Sequence, residues 1–360
     1  MTGPRITLEQ LGWTASLNER FVEFRARSLE PGRVAVEAKH HCLVLTAAGA
    51  LSGKVAGRLQ HQAASPADLP KVGDWVALSV LANEEKAVIH HVLPRSTRLS
   101  RKVPGRETEE QILAANIDQV FLVQALDESF CPRLIERQLV MIHEGGARAV
   151  IVLNKEDLCE RIPELLSAAE TAAGRVPVIA VSAKTGQDFD RLESLVHPGE
   201  TIAFIGPSGV GKSSLINRLY GEEIQATIEV RESDCKGRHT TTWRELIVLP
   251  RGGVVIDTPG VREFQMWQAD QGVRETFSDI DALAGGCRFR DCTHTHETQC
   301  AVKEAVTSSV LASDRYENYL KLRRELDHLE EAKSQRAALD RKRQTRVAQR
   351  AFNRIKHQRE

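Results

Sequence analysis

The chain has 360 residues, 41% hydrophobic and 27% charged, the composition of an ordinary soluble globular protein with room for two or three domains. Met1 to Ala15 has no apolar h-region, and runs such as Val120–Val123 and Ala149–Leu153 are too short for a bilayer, so a cytoplasmic, non-membrane protein is expected. Formal charge sums to +0, but 14 Lys or Arg face 7 Asp or Glu from Arg315 to Glu360, and 9 face 5 from Arg33 to Arg101, which suggests polyanion contacts at both flanks.

Residues 1–32 form a short lead-in of helical character. From Arg33 to Leu93 the runs RVAVEA, CLVLTA, LSGKVAGRL, DWVALSV and KAVIHHVL read as strands between short turns, and suit a small OB-like or SH3-like barrel. Its only aromatic, Trp75, reads as core. Such a barrel suits phosphates and the shape of folded RNA better than stacked single strands. From Pro94 to Glu110, Arg95, Arg98, Arg101, Lys102 and Arg106 surround Pro104-Gly105, which predicts a polar linker without packed structure.

Beyond the linker, strands at Gln119–Gln124, Ala149–Leu153, Pro177–Val181, Thr201–Ile205, Leu246–Leu249 and Val254–Ile256 alternate with helices at Arg133–His143, Pro163–Ala173 and Lys212–Leu219. This alternation predicts a parallel, doubly wound α/β sheet. A Cys/His-rich segment follows Ala284. A helix from about Ser313 then carries the apolar stripe Tyr316, Tyr319, Leu322, Leu326 and Leu329. The expected divisions are a lead-in (1–32), a barrel (33–94), a basic linker (95–112), a nucleotide domain (113–283), a metal module (284–312) and a basic helical tail (313–360).

The nucleotide motifs each close a strand. Asn154, Lys155, Glu156 and Asp157 follow Ala149–Leu153. The N1–H and N2–H₂ donors of guanine match one bidentate carboxylate, here Asp157, whereas adenine presents an acceptor there. Asn154 ties the loop and the Lys155 stem covers the base. Ser182, Ala183 and Lys184 supply a backbone N–H for the guanine oxygen. Gly206, Pro207, Ser208, Gly209, Val210, Gly211, Lys212 and Ser213, with Ser214 next, fit a phosphate loop between a strand and a helix. Its amides and the helix dipole cradle phosphates, Lys212 reaches the β- and γ-oxygens, and the Ser213 hydroxyl ligates Mg²⁺. Asp257 ends the next strand and holds Mg²⁺ directly or through water, while the Gly260 N–H senses the γ-phosphate.

Four of the seven cysteines (Cys42, Cys131, Cys159 and Cys235) are scattered and read as small buried residues. In a reducing compartment they do not make a disulfide scaffold. Cys287, Cys292, His294 and Cys300 offer three thiolates and one imidazole, the ligand set of a closed structural zinc site, with His296 competing for the fourth place.

The order of these motifs is rotated, with the base motifs ahead of the phosphate loop. Together with PSGVGKSSLIN, GRHTTT (Gly237 to Thr242), DTPG and the Cys/His cluster, over about Arg33 to Ala312, the chain resembles the circularly permuted GTPases, in particular those dependent on the small ribosomal subunit. The resemblance implies a permuted P-loop GTPase domain flanked by an N-terminal OB-like β-barrel and a C-terminal zinc module with a helix. It implies GTP hydrolysis to GDP with Mg²⁺, late maturation or a checkpoint on the small subunit and its rRNA, and a monomer. Ras-like enzymes orient water with a Gln after D-x-x-G. Val261 stands there and cannot, so His239 is the candidate catalytic group. The resemblance favours Thr241 as a Mg²⁺ ligand and His294 as the zinc imidazole. The competing readings are a protein-partnered signalling GTPase and an RNA-binding protein with weak nucleotide turnover.

Overall fold

The computed structural model of the protein describes residues 6–38, 41–81, 84–103, 109–224, 244–258 and 266–357, and beyond Leu339 the backbone alone, Lys342 excepted. The lead-in contributes α1 (Ala15–Arg20), capped by the Thr14 hydroxyl, and α2 (Val22–Arg25). Five strands follow: β1 (Glu30–Glu37), β2 (Cys42–Thr46), β3 (Gly49–Val55), β4 (Trp75–Val80) and β5 (Lys86–Val92). β1 pairs antiparallel with β2, β2 with β3, β5 with β4 and β4 with β1, while β3 and β5 run parallel. The circuit is closed, with one parallel pair, and is OB-like.

Alternation along the strands sorts its side chains. Val34, Val44, Val76, Leu78 and Ile89 fill the interior. Trp75 and Ala77 face the other way, under Leu11, Trp13, Phe21 and Leu29 of the lead-in. The Trp13 and Trp75 rings meet edge to face at 4.8 Å. The run LSGKVAGRL is only half strand. Its last residues begin α3 (Gly57–Gln62), because Arg58 to Gln62 are helix formers without a period of two.

The basic segment is not an unpacked linker. β6 (Arg98–Lys102) pairs antiparallel with β7 (Glu110–Ala115) and buries Leu99. Arg95 makes two 2.7 Å bonds to the buried carboxylate of Asp74 and donates to the carbonyls of Ala67 and Leu69. Its charges disguised a strand that turns Leu99 inward.

Next come β8 (Gln119–Ala125), α4 (Pro132–Glu144), β9 (Arg148–Asn154), α5 (Ile162–Ala173), β10 (Val178–Ala180), α6 (Phe189–Glu193), β11 (Thr201–Ile205), α7 (Lys212–Tyr220), β12 (Glu245–Val248) and β13 (Val254–Asp257). β10, β9, β8, β11 and β13 are parallel in that spatial order. β12 departs from the all-parallel expectation and pairs antiparallel with β13. The connection Leu249–Gly253 is too short for the crossover a parallel pair needs. Among the described residues, one bridge, Val36 to Glu245, joins this sheet to the barrel. Phe121, Val123, Val152 and Phe204 pack on α7, while Leu122, Ile151, Leu153 and Ile205 face α4 and α5. The winding reverses between β8 and β11, so the carboxyl ends of those strands frame the crevice where ligands bind in such sheets.

α8 (Asp270–Thr276), α9 (Ser278–Ala284), α10 (Ala301–Thr307) and α11 (Ser313–His357) complete the chain. The stripe read from the sequence docks α11, with Leu322, Leu326 and Leu329 buried. A buried ionic cluster fixes the docking direction. Arg315 donates to Glu136 of α4 at 2.8 Å and, twice at 2.8 Å, to Asp279 of α9. Arg133 and Asn318 also reach Glu136. Another buried cation, Arg33, donates to the carbonyls of Leu11, Gly73 and Asn116, and joins lead-in, barrel and β7–β8 turn. Burial pushes its guanidinium down to about 10 against the pull of Asp118 and Asp74. Of the scattered cysteines, Cys42 is buried, Cys131 and Cys159 are only half-buried, and Cys235 lies outside the described residues. No helix among the described residues is long and apolar enough to cross a membrane.

Candidate nucleotide site and metal centre

The phosphate loop spans the end of β11 and the first turn of α7. Gly206, Gly209 and Gly211 have φ of 148°, 85° and 95°, a region that favours glycine. A Cβ on Gly206 would sit 2.2 Å from the Val123 carbonyl oxygen, and one on Gly211 would sit 2.2 Å from Asn154 Nδ2. These glycines are therefore needed for close approach as well as for the turn. Lys212 opens α7 and is 8% exposed. Its Nζ donates to the carbonyls of Gly206 at 2.9 Å and Pro207 at 2.8 Å. Burial pushes this amine down to about 8, with Asp257 pulling the other way. Asp257, at the end of β13, is buried and lies beside Phe204 of β11. The next residue, Thr258, donates to the Phe204 carbonyl.

One side chain holds three loops together. The Asn154 amide is 3% exposed, donates from Nδ2 to the Val210 carbonyl at 2.8 Å, and accepts from the Ala183 N–H at 3.0 Å. It thus connects the Asn154–Asp157 turn, the phosphate loop and the Ser182–Lys184 loop. Lys155 adopts a left-handed φ of 67°, which turns the chain into the short 3₁₀ segment Glu156–Leu158. Within it, Asp157 Oδ1 accepts the Ser182 hydroxyl at 2.6 Å. Ser182 Oγ in turn accepts the Thr185 N–H at 3.1 Å. Ser182 positions the carboxylate, a role its place in the sequence did not indicate.

Two further groups escaped the sequence reading. Asp127, two residues past β8, pairs with Lys155 Nζ at 2.8 Å and fixes the lysine stem. Burial works against the Asp127 carboxylate, but bonds from Lys155 and Ser129 outweigh it and hold its pKa below the usual range. Arg218 of α7 donates to the Ala183 carbonyl at 3.1 Å and lies 5.2 Å over the Phe189 ring. The only signal for Asp127 was an acid at a strand's carboxyl end; Arg218 had none. Gly260, Val261, His239 and Thr241 lie outside the described residues.

Cys287, Cys292, His294 and Cys300 form a compact group whose ligand atoms all lie within 4.8 Å of one another. Cys287 Sγ is 3.8 Å from Cys300 Sγ, and His294 Nδ1 is 3.6 Å and 3.4 Å from those two sulfurs. Bonds of about 2.3 Å to sulfur and 2.0–2.1 Å to nitrogen give tetrahedral edges of about 3.8 and 3.5–3.6 Å, so the donor set fits a four-coordinate ion. His296 is exposed and not in the group. The loop rests on α11, where Tyr316 donates its hydroxyl to the His294 carbonyl.

The sequence matches the RsgA GTPase family over residues 92–267 and the 50S ribosome-binding GTPase family over residues 201–336. It is 43% identical over 352 residues to small ribosomal subunit biogenesis GTPase RsgA 2 of Lactiplantibacillus plantarum, covering 96% of this chain and 98% of that one. A small ribosomal subunit biogenesis GTPase RsgA of Opitutus terrae is 44% identical over 329 residues, covering 89% and 90% of the two chains. The fold is similar to YjeQ from Thermotoga maritima, with TM-score 0.61, 29% identity, and 83% and 98% coverage of this chain and that one. It is also similar to YloQ, a circularly permuted GTPase, with TM-score 0.60, 25% identity, and 83% and 96% coverage.

Proposed function

Since the chain belongs to the RsgA GTPase family, we propose that it hydrolyses GTP to GDP and phosphate as a late maturation or checkpoint factor of the small ribosomal subunit. Relatives aligned over nearly their whole length carry the small-subunit name, whereas the 50S-binding family match begins only at the phosphate strand. The observation that supports the nucleotide reading is the Asn154 amide, which bonds to both the Val210 carbonyl and the Ala183 N–H and so ties together the three loops that carry the motifs. Turnover with and without purified small subunits tests the whole reading. Strong stimulation is expected; turnover indifferent to subunits favours a signalling GTPase, and none under either condition an RNA-binding protein with a vestigial site.

In this reading Asp157 receives the guanine donors, Lys155 covers the base and Ala183 supplies the amide for the guanine oxygen, within Ser182–Lys184. Residues Gly206 to Ser214 enclose the phosphates. Lys212 exchanges the carbonyls of Gly206 and Pro207 for β- and γ-phosphate oxygens. Ser213, Asp257 and Thr241 would hold Mg²⁺, which would neutralise charge on the transferred phosphoryl group, and the Gly260 amide would report the γ-phosphate. His239 would orient the attacking water that Val261 cannot. The partners are the small subunit and its rRNA, the location cytoplasmic, and the working unit a monomer.

The depressed amine of Lys212 gives this site a pH signature. The free protein loses the Lys212 proton near pH 8, while the phosphate-bound amine keeps it. Binding therefore takes up a proton above that point, and GDP affinity falls as pH rises from 7 to 8.5. Calorimetry in two buffers of different ionisation enthalpy measures the uptake. Zero uptake at pH 8.5 would show that binding does not change the protonation of Lys212.

The metal is zinc in this reading, since three thiolates and an imidazole leave no open position and suit a soft, structural ion. Metal analysis is expected to return about one zinc per chain. Cys292→Ser should lower that content and unfold residues 284–312 while nucleotide binding survives. A metal-free preparation with this module intact would remove the assignment.

A further inference from the structure

The loop between Cys287 and Cys292 exposes Arg288, Phe289, Arg290 and Asp291. Phe289 is 45% exposed, an unusual place for a large ring on a module that has few apolar residues to spend. The Arg288 guanidinium lies 5.6 Å from the ring centroid. It is held there, since Nη1 donates to Gln299 Oε1 at 2.8 Å and the Arg288 N–H donates to the Gln299 carbonyl at 3.3 Å. The backbone that carries the ring is tied as well, because the Phe289 carbonyl accepts the Cys292 N–H at 3.3 Å. Cys287 and Cys292, the ends of this loop, sit in the four-residue donor group, so the ring stands on a short, clamped support.

The surrounding charge favours an anionic partner. Arg288 and Arg290 outnumber Asp291 at the tip. The other acid nearby, Glu297, is occupied inside the loop, accepting from the Thr293 N–H and hydroxyl and from the Thr295 and His296 N–H groups. A protein-docking hot spot would place its aromatic among other apolar side chains. Here the sequence neighbours of the ring are guanidinium and carboxylate groups.

We propose that Phe289 is a stacking platform for one unpaired RNA base, with Arg288 as the layer beneath the ring and Arg290 reaching the adjoining phosphate. The inference rests on the small-subunit reading above. An unstacked base has a π-face that a ring accepts whatever its sequence, and a guanidinium on the far side adds a cation–π contribution. With Trp75 of the barrel buried, this ring supplies the base contact that the barrel cannot.

The test is chemical probing of small-subunit RNA bases, with affinity measured over a salt series. Wild-type protein is expected to protect at least one unpaired base. Phe289→Ala should lose that protection and bind about 5- to 100-fold more weakly, with the same salt slope. Phe289→Tyr should behave as wild type and Phe289→Leu as the alanine variant. Arg290→Ala should instead lower the salt slope by about one. The ring is exposed, so metal content and basal GTP turnover should be unchanged in all four variants. Full binding and full base protection by Phe289→Ala would overturn the platform. So would full binding by Phe289→Leu, which would mean an apolar protein pocket. A wild-type protein that binds no subunit and protects no base would overturn the small-subunit reading along with it.

Discussion

Asp157→Asn is expected to reduce GTP affinity by about 10²- to 10⁴-fold and to raise affinity for xanthosine triphosphate. The carboxylate is held by the Ser182 hydroxyl at 2.6 Å, and Ser182 is wholly buried, so the acceptor is aimed before the base arrives. An asparagine can still accept that bond through its own oxygen, so the loop should keep its shape. Its NH₂ then faces guanine donors and leaves polar groups unpaired in a closed site, each costing about 1–3 kcal/mol. Xanthine carries a carbonyl where guanine carries its amino group and can accept from the new NH₂. Titration of wild type and variant with both nucleotides measures the exchange. Unchanged GTP affinity would show that the base sits elsewhere.

His239→Ala is expected to bind GTP and the small subunit normally and to lose most of the subunit-stimulated rate, about 10²-fold for one positioned catalytic group. The free protein should turn over slowly, on the order of 10⁻⁴–10⁻² s⁻¹, because Val261 offers no hydrogen bond to the attacking water. Subunit binding would raise the rate by setting His239 against the γ-phosphate. Lys212→Ala should differ by losing nucleotide affinity together with turnover, since Lys212 lies within the phosphate loop itself. Single-turnover hydrolysis at saturating subunit, with separate binding measurements, separates the two variants. A His239→Ala enzyme with near wild-type stimulated hydrolysis would move the role to another loop or to the ribosome.

The sequence by itself determined the nucleotide motifs, their rotated order and the three clustered cysteines, while the structure is what groups His294 rather than His296 with them. Phosphate loops, Asn-Lys-x-Asp turns and Cys/His clusters are short contiguous runs whose backbone and donor requirements admit few residue types. The regular strands and helices were also legible, because a period of 2 or 3.6 repeats within ten residues. What escaped was decided by how separate segments pair and pack. β6 was hidden by its arginines, since charge gives no hint that Leu99 turns inward. β12 looked like its parallel neighbours, and only the short Leu249–Gly253 connection set its direction. The lead-in had no motif because its part is to cover the outward face of Trp75. Arg33, Asp127, Glu136, Arg218 and Arg315 look like surface charges in a linear reading. Tertiary structure makes them the bonds that join barrel, nucleotide loops and C-terminal helix; Arg33, Glu136 and Arg315 are buried, and a buried charge persists only where distant partners converge on it, whereas Asp127 and Arg218 act from more exposed positions.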